Sequence, residues 1–138
     1  MKKISFREII DKTSEKLIEI NHKIPEEIKE YIEIAYKKEK EIYSKKYLKI
    51  ILENIEIAEK RKIPICQDTG LAIVFVEMGL DVDIEKGEYK TLDDIINAGI
   101  EKGSKEGYLR SSVVSPLERK NTKTNTPCLL YTSDAADE

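Results

Sequence analysis

Cys66, Gln67, Asp68 and Thr69 stand in a row before Gly70, placing a thiol, an amide, a carboxylate and a hydroxyl side by side. Ile63-Pro64-Ile65 precedes them and the apolar run Leu71 to Val76 follows. The proline before and the glycine after mark a loop, and loops held by rigid elements are where chemistry concentrates. A thiolate serves as metal ligand or nucleophile. A nucleophile needs a base, and the single histidine, His22, lies far upstream, where it reads as an exposed polar residue near a helix end. A zinc site needs four ligands, Cys and His at short spacings, which this chain lacks. Cys66 therefore reads as a ligand or as a small hydrophobe beside a strand. Gln67 and Asp68 read as groups facing a substrate or as hydrogen-bonding caps of the next element.

The elements that must carry this loop are mainly helical. Phe6, Ile9, Ile10, Thr13, Leu17 and Ile20 recur at spacings of three and four, predicting a helix over 5–21, with Ser5 and Glu8 as a capping box. Pro25 opens a second helix, with Glu26 and Glu27 against its N-terminal dipole and a stripe of Ile28, Tyr31, Ile32, Ala35 and Tyr36. A third helix is expected from Ser44, burying Leu48, Ile51, Leu52, Ile55 and Ala58. Leu71 to Met78 predicts a buried strand, and Asp81 to Ile84 a short edge strand. Thr91 and Asp94 cap a fourth helix, expected to fray through Gly99, Gly103 and Gly107. Tyr108 to Pro127 lacks helical period, with a brief strand at Ser111 to Val114. A helix-rich half of about four helices, followed by a buried strand and site loops, predicts an α+β domain.

Composition narrows the function classes. At 138 residues the chain can build a core of its own. Its 37% charged residues suit helices with solvated outer faces. The formal charge of −3 is spread along the chain, so no basic field for nucleic acid is expected. No apolar run is long enough to span a bilayer, and the basic N-terminus lacks the apolar stretch of a secretory signal. Two distant cysteines make no disulfide framework, which points to a reduced, cytoplasmic protein.

The last eleven residues differ from the rest. Cys128 to Glu138 contains no Lys and no Ile, although both abound upstream, and it resembles the translation of a sequencing adapter. The expectation is a domain over 1–127, interrupted at Pro127, and a non-native tail over 128–138. The preceding 127 residues then carry 24 basic and 24 acidic groups, and Cys128 is assigned no chemistry.

Ile65-Cys66-Gln67-Asp68-Thr69-Gly70-Leu71-Ala72 resembles the signature of class I fumarases and the related L(+)-tartrate dehydratases, which are iron–sulfur hydro-lyases. Gly107-Tyr108-Leu109-Arg110-Ser111-Ser112 resembles that family's arginine segment. Pro116 to Pro127 resembles its Asn-Thr-Gly-Asp-Asn-Thr-Pro block, with Lys123 and Thr124 where the family usually has Gly and Asp. The helical lead-in before Cys66 suits the α subunit, or the N-terminal domain of a fused form.

The resemblance implies a 4Fe-4S cluster held by three cysteines, with Cys66 the first ligand and the other two beyond residue 127. It implies that Gln67 and Asp68 face a dicarboxylate or its leaving water, making Asp68 the catalytic candidate. Arg110 would clamp a substrate carboxylate in a bidentate pair. The implied activity is reversible hydration of fumarate to L-malate, with L(+)-tartrate dehydration as the alternative. The implied partner is a β subunit or C-terminal domain supplying the base, within an oligomer when intact. No nucleic acid or membrane partner is implied, and this chain alone is expected to be inactive. From another class, the alternative is a non-catalytic helical interaction module using the apolar stripes of its second and third helices.

Overall fold

Eight elements follow one another in the computed structural model, which describes residues 2–66 and 70–134. They are β1 (Lys2–Ser5), α1 (Phe6–His22), α2 (Glu26–Lys38), α3 (Ile42–Arg61), β2 (Ile73–Met78), β3 (Val82–Glu85), α4 (Leu92–Glu106) and β4 (Leu129–Asp134). The α+β expectation holds. The chain divides into two units, one formed by Met1–Leu17 with Asp68–Glu138, the other by Ile18–Gln67.

In the first unit, α4 packs on the N-terminal part of α1. Its start is fixed by a reciprocal cap: the Asp94 N–H donates to Thr91 Oγ1, and the Thr91 N–H donates to an Asp94 carboxylate oxygen. The expected fraying does not occur, and α4 runs unbroken to Glu106. Gly99 and Gly103 are buried within it because they face α1 at close range. A Cβ on Gly99 would lie 2.6 Å from Thr13 Cβ, and one on Gly103 would lie 3.0 Å from the Ser14 backbone. Packing against α1 outweighs the weak helical propensity of glycine here.

Leu17, Ile96 and Ile100 form the core cluster, joined by Ile9, Ala72, Val74, Val76, Leu92, Leu109 and Cys128. Strand β2 therefore buries only one face. Val74 and Val76 pack against the core while Phe75 is 78% exposed, so the expected buried strand is a half-buried one. β2 pairs in parallel with β4, from Ile73 opposite Leu129 to Met78 opposite Asp134. The terminal segment set aside in the sequence thus supplies a strand, since Leu129 to Thr132 favours β structure and β2 offers an unpaired edge.

A second parallel pair joins β1 to β3, with Lys2 opposite Val82 and Ser5 opposite Glu85. β1 was not expected, because four residues beginning Lys-Lys show no pattern until a distant strand pairs with them. Ser5 also caps α1, its Oγ accepting the Glu8 N–H at 3.3 Å. The expected strand at Ser111 to Val114 reduces to one antiparallel bridge between Val114 and Asn121.

The second unit is built on α2 and α3. α3 begins before the expected Ser44, because the Glu41 carboxylate accepts the Ser44 N–H at 2.6 Å and caps the helix. Ile55 and Ala58 are buried, whereas Ile51 on the same expected face is exposed. α2 buries none of its residues fully, and Ile28 and Tyr31 lie exposed. One helix-to-helix seam covers only part of each apolar stripe.

Candidate functional site

Within the second unit, three hydrogen bonds hold the approach to Cys66. The Ile63 N–H donates to the Ala58 carbonyl at 3.1 Å, closing the end of α3 after Lys62, whose φ of 53° is left-handed. The Ile65 N–H donates to the Asn21 carbonyl at 2.9 Å, and the Cys66 N–H donates to Asn54 Oδ1 at 3.0 Å. The backbone at Cys66 is thus tied to a side chain of α3, and the thiol is exposed. The end of α1 reaches this loop, which the sequence distance did not suggest. His22 is half-buried rather than exposed, and its Nε2 is buried with no hydrogen-bond partner among the described residues. Gln67 and Asp68, the substrate-facing candidates, lie outside the described residues, as does Thr69.

In the first unit, the other motifs converge. Asn125 is 6% exposed and sits at a φ of 58°, a left-handed conformation that Asn tolerates. Its Nδ2 donates to the Arg110 carbonyl at 2.9 Å, and its Oδ1 accepts the Ser112 N–H at 2.8 Å. Asn121 Nδ2 donates to the Ser111 carbonyl at 2.7 Å. The Thr122 N–H donates to the Val113 carbonyl at 2.9 Å. Ser112 Oγ donates to the Gly70 carbonyl at 3.0 Å, tying in the residue that closes the Cys-Gln-Asp-Thr-Gly run. Arg110 itself is exposed, on a backbone fixed at both ends of the next residue.

Lys123 takes a φ of 63°, and its N–H donates to Asn121 Oδ1 at 2.7 Å. The left-handed turn is therefore present although lysine stands where the family usually has glycine. Cys128 donates its N–H to Asn97 Oδ1 at 2.9 Å and packs on the core, and burial pushes its thiol pKa up. Among the described residues, no three His, Cys, Asp or Glu side chains gather as a metal site. No helix of the described residues is long and apolar enough to cross a membrane.

The sequence model described as "Fumarate hydratase (Fumerase)" matches residues 10–138, taking in the cysteine loop, the arginine segment and the Asn-Thr block together. The chain belongs to the fumarate hydratase (Fumerase) family. The match extends through the eleven terminal residues and includes α2 to α4, so these helices are part of the family's chain.

Three curated relatives agree with this membership. A putative L(+)-tartrate dehydratase subunit alpha of Methanocaldococcus jannaschii is 44% identical over 102 residues, covering 74% of this chain and 35% of its own. A putative fumarate hydratase class I of Geobacillus stearothermophilus is 30% identical, covering 79% of this chain and 20% of its own. The anaerobic class I fumarate hydratase of Escherichia coli is 36% identical, covering 55% of this chain and 14% of its own. The chain thus spans about a third of the first relative's length and less of the others.

Asn54, Asn121 and Asn125 are the residues whose anchoring the sequence reading missed. Asn54 carried one signal, an amide beside the apolar stripe of α3. Asn121 and Asn125 lie in the block that resembles the family's, but their anchoring role has no local signal, since their partners Arg110, Ser111 and Ser112 lie in a separate segment.

Proposed function

We propose that this chain is the N-terminal part of a hydro-lyase α subunit that hydrates fumarate reversibly to L-malate. The observation that carries this reading is the fumarate hydratase family match over residues 10–138 with the Cys66 loop inside it. The donor chemistry of this chain is compatible with one corner of an iron–sulfur cluster. Cys66 presents an exposed thiol on a loop anchored through Asn54, and a soft thiolate suits iron. The described residues do not complete a ligand set, and two further cysteines are proposed to come from beyond the 138 residues.

When bound, such a cluster supplies a Lewis-acidic iron for the substrate hydroxyl. This chain's own residues take the remaining tasks we assign. Cys66 would hold the group. Arg110 pairs with a carboxylate of the substrate, orienting the carbon to which hydroxide adds and the neighbour to which a proton adds. Gln67 and Asp68 are assigned to the dicarboxylate or its leaving water, with Asp68 the catalytic candidate. The proton is exchanged by a base from a β subunit or C-terminal domain. We assign the intact oligomer to a reducing cytoplasm, in keeping with cysteine as a ligand.

A second reading, L(+)-tartrate dehydratase, is favoured by the 44% identity to a protein carrying that name. The family description and the other two relatives carry the fumarate hydratase name. Anaerobic assay of the full-length protein with its partner subunit, on L-malate, fumarate and L(+)-tartrate, tests both. Turnover of malate and fumarate supports the first reading, turnover of tartrate alone supports the second, and turnover of none contradicts both.

A further inference from the structure

We propose that Asn125 is a positioning residue for Arg110, setting the geometry of the carboxylate clamp without touching substrate. The inference rests on the reading of Arg110 as the carboxylate's partner. It is carried by where the Asn125 side chain is spent. A buried loop asparagine ordinarily satisfies its own turn. Here both halves of the amide leave the turn and bond one foreign segment, the Arg110 carbonyl at 2.9 Å and the Ser112 N–H at 2.8 Å. Asn121 takes the Ser111 carbonyl between them at 2.7 Å. Three consecutive residues of an exposed segment thus have their main chain fixed by two side chains from another loop. Ser112 Oγ fastens the same segment to the Gly70 carbonyl at 3.0 Å.

The long arginine side chain begins from this fixed point. A bidentate pair needs both guanidinium nitrogens in the plane of the carboxylate, and an arginine on a loose loop loses that geometry and affinity with it. Asn125 suits the task in two ways. It supplies a donor and an acceptor on one planar group, and it accepts the left-handed backbone, φ 58°, that aims that group at the neighbouring segment. The same side chain is 6% exposed, so water does not compete for its bonds.

A double-mutant cycle in the full-length enzyme, with its partner subunit, tests the proposal. Asn125→Gly keeps the left-handed backbone and deletes both bonds. Arg110→Ala deletes the clamp. The readout is KM against kcat for L-malate, or for L(+)-tartrate if that is what the parent turns over. Arg110→Ala is expected to raise KM roughly ten- to hundredfold, as for a lost charge-assisted pair. Asn125→Gly should raise KM about tenfold with kcat within about threefold. Added to Arg110→Ala, it should change KM by less than about twofold, because its effect runs through Arg110.

Multiplying defects overturn the proposal, since a merely structural asparagine would weaken both backgrounds alike. A normal KM in Asn125→Gly overturns it as well. An unchanged KM in Arg110→Ala instead removes the reading of Arg110, and the positioning role with it. Asn125→Asp keeps the acceptor for Ser112 and loses the donor to Arg110. It should reproduce the raised KM, it is read in place of the glycine variant if that yields no soluble protein, and a parental KM there contradicts the proposal.

Discussion

Lys123 holds a left-handed backbone that costs an L-residue roughly 1–2 kcal/mol. Its N–H donates to Asn121 Oδ1, so the turn forms despite that cost. Lys123→Gly removes the steric penalty and adds unfolded-state freedom worth less than the gain, so it should stabilise the chain by about 0.5–1 kcal/mol. Thermal unfolding checks this, and a lowered Tm would contradict it. At this scale the sequence exposed types and spacing but little of geometry. Cys66 stands out by residue type and loop context, whereas Arg110 and the Asn121 to Asn125 stretch stand out only through the family resemblance. That Asn125 reaches back to Arg110 and Ser112 was not legible, because no local pattern encodes a bond between two loops. The half-burial of His22 was not legible either, because burial at a helix end is set by tertiary packing and not by the local pattern.

Among the elements, the helical periods of α1, α2 and α4 and the capping box at Thr91 and Asp94 could be read directly, because both signals are local. β1 and the unbroken course of α4 could not, since each depends on a partner elsewhere. The glycines of α4 illustrate the contest. Gly99→Ala gains at most about 1 kcal/mol of helical propensity. The new Cβ would sit 2.6 Å from Thr13 Cβ and 3.0 Å from the Ile10 carbonyl oxygen. Backbone cannot swing aside, so overpacking of about 1–3 kcal/mol wins and the variant should unfold at a lower temperature. A raised Tm would mean that α1 and α4 do not approach closely.

The cap of α4 gives a pH signature. The Asp94 carboxyl is held below its usual pKa by the Thr91 hydroxyl first and then by the Thr91 backbone N–H. A depressed carboxyl stabilises the fold above the unfolded-state pKa and loses that contribution as pH falls through the folded value. Asp94→Ala should therefore be less stable than the parent near neutrality, with the gap narrowing below about pH 4. A gap that is constant from pH 7 to pH 3 would contradict the assignment.

For the molecule as a whole, α+β class and family were legible while the extent of covered surface was not. Ile28, Tyr31, Ile34, Ile42, Tyr43 and Tyr47 lie exposed on the α2–α3 unit. Exposed apolar side chains favour association where they lie together. The isolated 138-residue chain should bind a hydrophobic dye and associate with rising concentration, as read by sedimentation. A dye-silent monomer would contradict this. The same isolated chain, given iron and sulfide without oxygen, should form no stable coloured cluster, because one anchored thiolate leaves a cubane open to solvent.

The Cys66 thiolate is the iron ligand we propose. The direct measurement is iron content and visible absorbance of the anaerobically purified full-length enzyme, parent against Cys66→Ser. An iron-containing, coloured parent and a bleached, inactive variant are expected, because an alkoxide ligates iron poorly in place of a soft thiolate. An iron-free parent, or a variant retaining the parent's spectrum, would contradict it.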